Sequence, residues 1–175
     1  MPGTSDGTGR VRGVEFFVQQ KLTDSLYGQL SYAFSETRHR ALDGVPRSAS
    51  FDLPHVFGLV AGYRLDTRYE FSTRYTYTSG RPQTPLIEEA SQEQNRTIFD
   101  ATRLFEVRGP YYSRLDLRAD RRFHRRWGSI TTYVEVENVF DRKNAMMDLW
   151  NPKTQKLDTL PQLRLLAIGG VTVRF

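Results

Sequence analysis

The chain has 175 residues, of which 38% are hydrophobic and 26% are charged, and its mean hydropathy is −0.56. A chain this polar, without a run of about eighteen apolar residues, is not a membrane protein built of helices. Its lack of cysteine excludes a disulfide framework and a thiolate metal site, and its net charge of +5 comes from 25 basic and 20 acidic residues that are mostly interspersed, so no nucleic-acid partner is expected.

Alternation of apolar and polar residues with a period of two recurs along the chain and predicts an all-β protein. The pattern is cleanest in the fourth predicted strand, where Tyr69, Phe71 and Tyr75 lie on one side with polar residues between them. Seven strands are predicted, covering about residues 10–21, 26–36, 55–65, 68–78, 112–123, 128–140 and 163–175. Residues 1–9 are rich in glycine and are predicted to form a flexible N-terminal segment.

The connections between these strands alternate strictly between short and long. The long ones cover residues 37–53, 79–110 and 141–162. Strands of about eleven residues are close to the ~9–11 residues with which a tilted strand crosses a bilayer, and outer-membrane barrels have short periplasmic turns and long extracellular loops. The pattern therefore predicts an antiparallel transmembrane β-barrel segment, a meander of about seven strands with a periplasmic C-terminus.

Aromatic residues fall near the ends of several predicted strands. Such residues form girdles at both membrane interfaces of outer-membrane barrels, although aromatic residues also favour strands in general. The girdle candidates are Tyr27, Tyr63, Tyr69, Tyr77, Tyr112, Phe123, Trp127 and Phe140.

No enzyme chemistry is indicated. His39, His55 and His124 lie far apart without the spacing of a local metal motif, and no G-x-S-x-G nucleophile motif is present. Catalytic residues, metal ligands and cofactors are therefore not expected.

The basic run at 121–126 beside Trp127 is similar to a nucleic-acid patch, but at a turn between two strands it is better explained as a rim at the periplasmic membrane interface.

Five segments, taken in order, resemble the C-terminal barrel of TonB-dependent receptors. They are residues 52–56 (DLPHV), 79–85 (SGRPQTP), 113–123 (SRLDLRADRRF), 133–141 (YVEVENVFD) and 169–175 (GGVTVRF). In that family a strand of the type R-x-D-x-R-x-x-x-x-F precedes a short turn. A strand ending in N-[VL]-F-[DN] follows, and after a long loop the last strand ends in Phe. The resemblance covers about residues 10–175.

The resemblance implies a 22-stranded barrel in the bacterial outer membrane, plugged by an N-terminal domain. Such a receptor imports a small nutrient, such as siderophore-bound iron, cobalamin or a glycan, with energy supplied through TonB. Its partners would be outer-membrane lipid and lipopolysaccharide, the plug domain and TonB of the full-length receptor, and the barrel-assembly machinery. No plug, TonB box or signal peptide precedes the first strand, so we expect a fragment in which residues 10–175 form the C-terminal strands.

Polar residues that face away from the lipid would line the lumen. The lumen-facing candidates are Glu70, Arg74, Arg114, Asp116, Arg118, Glu135 and Glu137. Matching the apolar rows of the fifth and sixth strands allows a register with Arg118 opposite Glu135, and neighbouring registers with Arg114 or Arg118 opposite Glu137. These pairs form either a solute path or docking wall for the plug, or a charge ladder that only stabilises the barrel wall.

In such a receptor the long loops would contact the ligand. The candidates are Arg81, Arg96, Arg103 and Arg108 in the longest loop. A solvated loop, or one that faces lipopolysaccharide, is the simpler explanation of the same residues.

The last predicted strand carries alternating apolar residues and ends on an aromatic one. Val171, Val173 and Phe175 resemble the signal that the barrel-assembly machinery reads. An extended strand with a free edge can pair with another sheet edge, which gives such recognition a physical basis. An ordinary final strand that ends in Phe by chance is the alternative.

Two other functions stay open on the sequence alone. One is a complete small outer-membrane barrel with a structural or adhesive role. The other is a soluble β-barrel that acts as a binding module.

Overall fold

The structure is a computed structural model that describes residues 7–175. Its strands are β1 (Thr8–Gln20), β2 (Leu26–Arg40), β3 (Pro46–Ser48), β4 (His55–Arg64), β5 (Tyr69–Thr78), β6 (Pro82–Gln83), β7 (Val107–Arg108), β8 (Tyr112–Arg125), β9 (Gly128–Glu137), β10 (Ala145–Asn151), β11 (Lys156–Pro161) and β12 (Leu166–Arg174). A short helix, α1, covers Glu88–Glu93. Over residues 7–175, no helix has the length and apolar character that crossing a membrane requires.

Seven of these strands form one antiparallel sheet in the order β1-β2-β4-β5-β8-β9-β12, and β3 pairs with the end of β2. Each of the seven lies beside its neighbours along the chain, so the predicted all-β meander is confirmed. Within the described residues β1 and β12 do not pair with each other. The sheet is therefore open and has two free edges.

Several predicted strand boundaries differ from the observed ones. β9 ends at Glu137 rather than at about residue 140, and β12 begins at Leu166 rather than at about residue 163. β1 begins at Thr8, inside the predicted flexible segment, of which residues 1–6 lie outside the described residues. β2 continues to Arg40 because the segment from Arg38 pairs on one side with the start of β1 and on the other with β3. These residues are polar throughout, so the alternation that marks a half-buried strand is absent from them.

The three segments predicted as long loops contain further structure. Residues 37–53 include the end of β2 and all of β3, and residues 79–110 include α1 and the paired strands β6 and β7. Residues 141–162 form a hairpin of β10 and β11. These strands are short, and they pair with one another or with the extension of β2 rather than joining the row of seven.

One face of the sheet is apolar across all seven strands. The registers align Val18, Leu30 and Leu59 across its first half, and continue the same row through Tyr75 to Leu115. Other members of this face are Val14, Phe16, Phe34, Phe57, Phe71, Leu117, Ile130, Val134, Val136, Val171 and Val173. Successive side chains of a strand point to opposite sides, and the opposite face is mainly polar, although it also carries Phe17, Val56, Val60 and Ile168.

This apolar face is not covered by any other part of the described chain. Val14, Val134 and Val171 are 70%, 60% and 65% exposed, respectively. Among the hydrophobic residues in the described range, only Ala49 and Trp150 are buried. The sheet thus has an extensive apolar surface without a hydrophobic core beneath it, which is unusual for a protein surrounded by water.

The connections divide between the two ends of the sheet. Those between β1 and β2, β4 and β5, and β8 and β9 are short and lie at one end, which we call the short-turn end. Those containing β3, α1 and the β10–β11 hairpin are long and lie at the other, the loop end. The alternation of connection lengths expected from the sequence is confirmed.

Candidate functional site: a charged sheet face and its loop end

The polar face carries a network of ion pairs centred on β8. Arg118 lies directly opposite Glu135, as one of the registers considered from the sequence requires. Its guanidinium group contacts the carboxylates of Glu135 at 3.2 Å and Asp120 at 2.8 Å, and lies 3.8 Å from the centroid of the Tyr133 ring. One arginine is thus held by two carboxylates and an aromatic face.

A second arginine on β8 repeats the arrangement. Arg114 contacts Asp116 at 2.6 Å and Glu137 at 2.8 Å. Asp116 is almost fully buried, at 5% exposure, so its charge requires the partners that it has. The two sets together form a ladder of alternating charge that runs along β8 and β9 on the polar face.

A third pair continues the polar face toward β2. Glu70 accepts hydrogen bonds from Arg64 at 3.3 Å and from the hydroxyl of Tyr27 at 2.7 Å. Arg74, by contrast, is exposed and has no carboxylate within ion-pair distance in residues 7–175. Six of the seven lumen-facing candidates are therefore joined in ion pairs, and Arg74 is the free cation among them.

Tyr27 does not belong to an aromatic girdle on the apolar face. Its position in β2 lies opposite Gly62 of β4, on the polar side of the sheet. The missing side chain of Gly62 leaves the space that the Tyr27 ring fills, because a Cβ there would collide with the ring. Tyr112 also has the parity of the polar face. Alternation within each strand decides both positions, because Tyr27 has the parity of Gln29 and Tyr112 has the parity of Arg114.

Aromatic side chains on the apolar face instead form two rows with aliphatic residues between them. Toward the short-turn end are Tyr63, Tyr69, Phe71 and Phe123, with Trp127 and Phe175 beyond them. Toward the loop end are Tyr32, Phe34, Phe57, Tyr75 and Tyr77. Leu117 lies opposite Thr73, midway between the rows.

The four loop arginines proposed as ligand contacts have different surroundings. Arg108 donates to the backbone oxygens of Asp52 at 2.9 Å and Gly80 at 3.0 Å, and it forms an ion pair with the Asp52 carboxylate. Asp52 is 1% exposed and also accepts the Thr37 N–H at 2.6 Å. Arg108 therefore joins two loops, and both of its terminal guanidinium nitrogens are engaged in this contact.

The other three are less constrained. Arg103 pairs with Glu106 at 2.7 Å on the surface, and Arg96 donates to the side chain of Gln94 at 2.8 Å. Arg81 lines a cavity of about 860 Å³ between the 79–111 connection and the β10–β11 hairpin. The cavity wall is mainly apolar and includes Leu86, Phe99, Leu104, Phe105, Met147 and Leu157. Of the four arginines, Arg81 is the one that borders this cavity.

Two buried asparagines at the loop end were not singled out by sequence reasoning. Asn138 is 1% exposed, has a φ of 52°, and donates from its side chain to the carbonyls of Arg142 at 3.0 Å and Leu163 at 3.2 Å. Asn144 is 2% exposed and exchanges two hydrogen bonds with the backbone of Ser113. Asn138 is the Asn of the N-[VL]-F-[DN] segment, so the motif itself was the signal that could have revealed its role.

The same segment supplies the anchor for the start of the last strand. Asp141 accepts hydrogen bonds from Arg164 Nε at 2.6 Å and from the Leu165 N–H at 3.0 Å. The Arg164 side chain, and then the Leu165 N–H, lower the pKa of the Asp141 carboxyl from 3.8 to about 2. The motif residues thus end β9 and direct the chain into β12.

The final strand lies at an edge of the sheet. Val171 and Val173 lie on the apolar face, and Phe175 is 99% exposed with its ring centroid 6.0 Å from that of Trp127.

No protein-family model, curated protein or solved structure matches the chain. The functional interpretation consequently depends on the geometry of the chain itself.

Proposed function

We propose that this chain forms part of the wall and outer loops of an outer-membrane β-barrel that imports a small nutrient, as TonB-dependent receptors do. The observation that carries the proposal is the uncovered apolar face, continuous over seven strands and backed by a face of ion pairs. Such a surface is stable in a lipid bilayer, because acyl chains contact the apolar side chains that no protein core covers.

The dimensions of the sheet support insertion into a bilayer. β4, β5 and β9 each have ten residues. At about 3.3 Å per residue such a strand is roughly 33 Å long, and at a tilt of about 45° it covers roughly 23 Å. An outer-membrane barrel has an apolar band about 25 Å tall between aromatic girdles, and the aliphatic band here also lies between two aromatic rows.

The polar face would then face the interior of the barrel. Arg114 and Arg118 keep their carboxylate partners there, where water or a plug domain replaces lipid. The free edges of β1 and β12 would pair with further strands of a larger barrel, because unpaired backbone groups are not tolerated in lipid. Transport would require those strands together with the plug and TonB.

The loop end would form the outer surface, with the short-turn end and the C-terminus in the periplasm. Its cavity of about 860 Å³ lies within the ~300–1,000 Å³ common for small-molecule sites. The apolar wall and Arg81 suit an organic ligand with an apolar body rather than a bare ion. This supports import of a small organic nutrient or an organic metal chelate.

Single cysteines test the membrane part of the proposal, since the chain has none of its own. L117C, V134C and V171C place a probe on the apolar face, and Q29C and T131C place one on the polar face. In vesicles, a fluorophore at the first three positions should be quenched by brominated acyl chains and one at the last two should not. Equal quenching on both faces would contradict the proposal that the apolar face contacts lipid.

A gene disruption tests the uptake function. Cells lacking the gene that encodes this chain should grow poorly when one nutrient, such as chelated iron, cobalamin or a glycan, is limiting. The defect should be matched by a strain in which TonB is inactive and should disappear when the nutrient is abundant. Normal growth with every limiting nutrient, together with altered surface adhesion, would favour the structural or adhesive barrel instead.

A further inference from the structure

The arginines at the short-turn end of the sheet differ from those of the ion-pair network. They are Arg68, Arg121, Arg122, Arg125, Arg126 and Arg174, and we call them the basic rim. Within residues 7–175 none of the six has a carboxylate oxygen within 4.0 Å. The carboxylate of Asp66, in the nearby turn, accepts the backbone N–H groups of Arg68 and Tyr69, both at 2.7 Å. The six guanidinium groups of the rim therefore form no direct ion pair within the described residues.

Four of the six arginines of the basic rim lie on strands, two on each side of the sheet. Arg121 and Arg125 share the parity of Leu117 and Ala119, so they lie at the edge of the apolar face. The other side carries Arg122 of β8 and Arg174 of β12, which have the parity of the polar face. Two arginines of one strand thus border the apolar band while two others border the charged interior.

The apolar-face arginines lie among aromatic rings. The Arg121 guanidinium carbon is 5.4 Å from the ring centroid of Tyr69 and 4.7 Å from that of Phe123. Trp127, which is 52% exposed, packs beside Phe175 at the adjacent turn. Aromatic residues favour the depth of the lipid headgroups, and arginine side chains reach outward from apolar surface to place their charge in that layer.

We propose that Arg121 and Arg125, with Trp127, bind the phosphate groups of anionic glycerophospholipids in the periplasmic leaflet. This inference rests on the proposed insertion of the apolar face into a membrane. Guanidinium groups donate two parallel hydrogen bonds to phosphate, and free charge at the membrane surface favours anionic over zwitterionic headgroups. Only the arginines on the apolar side of the rim would reach lipid headgroups, because those on the polar side face the barrel interior.

Trp127 provides a native reporter for this contact. The full chain is folded in neutral detergent micelles at about 0.15 M salt, where charges farther apart than about 8 Å are screened. It is then titrated with dihexanoyl phosphatidylglycerol or dihexanoyl phosphatidylcholine while tryptophan fluorescence is recorded. The same titration of W127F is subtracted, which removes the signal of Trp150. We expect a saturable change with phosphatidylglycerol and a much weaker one with phosphatidylcholine.

A matched pair of double variants identifies the binding side. R121Q/R125Q and R122Q/R174Q remove the same charge from the same end of the sheet. Each arginine near an anionic membrane surface strengthens binding roughly fivefold. R121Q/R125Q should therefore weaken phosphatidylglycerol binding at least tenfold, whereas R122Q/R174Q should change it less than threefold. Equal losses in the two variants, or an equal response to phosphatidylcholine, would overturn the proposal. An equal response to inorganic phosphate at the same concentration would also overturn it, because the site would then bind a free anion.

The membrane proposal and the headgroup proposal can fail separately. Quenching of apolar-face cysteines by brominated lipid reports insertion whatever the headgroup charge. Quenching without phosphatidylglycerol selectivity would overturn the headgroup proposal alone. Absence of quenching at L117C, V134C and V171C would overturn the proposed function on which it rests.

Discussion

The carboxylate of Asp116 accepts a hydrogen bond from the backbone N–H of Asn138 at 2.9 Å, which ties β8 to the residue that follows β9. The same carboxylate oxygen accepts the Nε–H of Arg114 at 2.6 Å. The R-x-D-x-R and N-[VL]-F-[DN] segments of the sequence therefore meet in one buried junction. The junction lies at the loop end, where the Asp116 carboxylate satisfies both the backbone N–H of Asn138 and the side chain of Arg114.

Replacing Asn138 should destabilise this junction. N138A loses three side-chain hydrogen bonds and puts alanine at a φ of 52°, so we expect a loss of roughly 2–4 kcal/mol in the free energy of unfolding. N138G loses the same bonds but adopts the backbone angle easily, and should lose about 1 kcal/mol less. Urea titration in micelles compares the two. Equal losses would show that the backbone angle contributes nothing.

The ion pair between Asp52 and Arg108 should matter more than an exposed pair in the same loop. R108A leaves the carboxylate of Asp52, which is 1% exposed, without its charged partner, and should cost roughly 2–3 kcal/mol. R103A breaks a pair whose side chains are 50% and 54% exposed and should leave the free energy of unfolding almost unchanged, because water screens exposed charges. Limited proteolysis should cut the 79–111 connection faster in R108A. Similar cleavage of both variants would contradict the structural role assigned to Arg108.

The pair between Asp141 and Arg164 predicts an acid transition at the start of β12. Because the pKa of Asp141 is lowered from 3.8 to about 2, its ionised form stabilises the fold fully above pH 4, and this contribution is lost as the pH falls through 2. Amide exchange at Leu165, whose N–H donates to Asp141, should accelerate over that range. D141N should remove the acid dependence, and R164Q should return the carboxyl pKa toward 3.8. An unchanged Asp141 titration in R164Q would contradict this.

Charge on the two faces of the sheet should have opposite consequences in lipid. L117R places arginine between the aromatic rows of the apolar face and should cost roughly 2–4 kcal/mol in vesicles. Q29R places the same residue on the polar face, between Gln19 and Val60, and should cost less than about 1 kcal/mol. Unfolding of the vesicle-inserted chain by guanidinium measures both. If L117R were as stable as Q29R, the apolar face would not contact acyl chains.

Phe175 should affect assembly more than stability. Its side chain is 99% exposed and contacts the structure mainly through Trp127, so F175A should change the free energy of unfolding by less than about 1 kcal/mol. If the ending with Val171 and Val173 is the assembly signal, F175A should still lower the amount reaching the outer membrane severalfold. F140A, another exposed aromatic at 73%, is the matched control and should be assembled normally. Equal assembly of both variants would remove the signal role.

The sequence by itself determined the seven strands and the two ends of the sheet. Alternation of side chains with a period of two is a local property, so 55–65 and 68–78 were recognised nearly to their ends as β4 and β5. Turn lengths are also local, and they located all short connections at one end. The register with Arg118 opposite Glu135 followed from matching apolar rows, although other registers satisfied the same pattern.

Only the tertiary structure decided what the polar residues do. Pairing on both sides made Arg38–Arg40 part of a strand without any alternation, and the missing side chain of Gly62 in a neighbouring strand left the space that the Tyr27 ring fills. Arg108 differs in role from the other loop arginines because it pairs with the carboxylate of Asp52, which lies 56 positions away in the chain. Such contacts join distant segments, and no period or spacing within one segment encodes them.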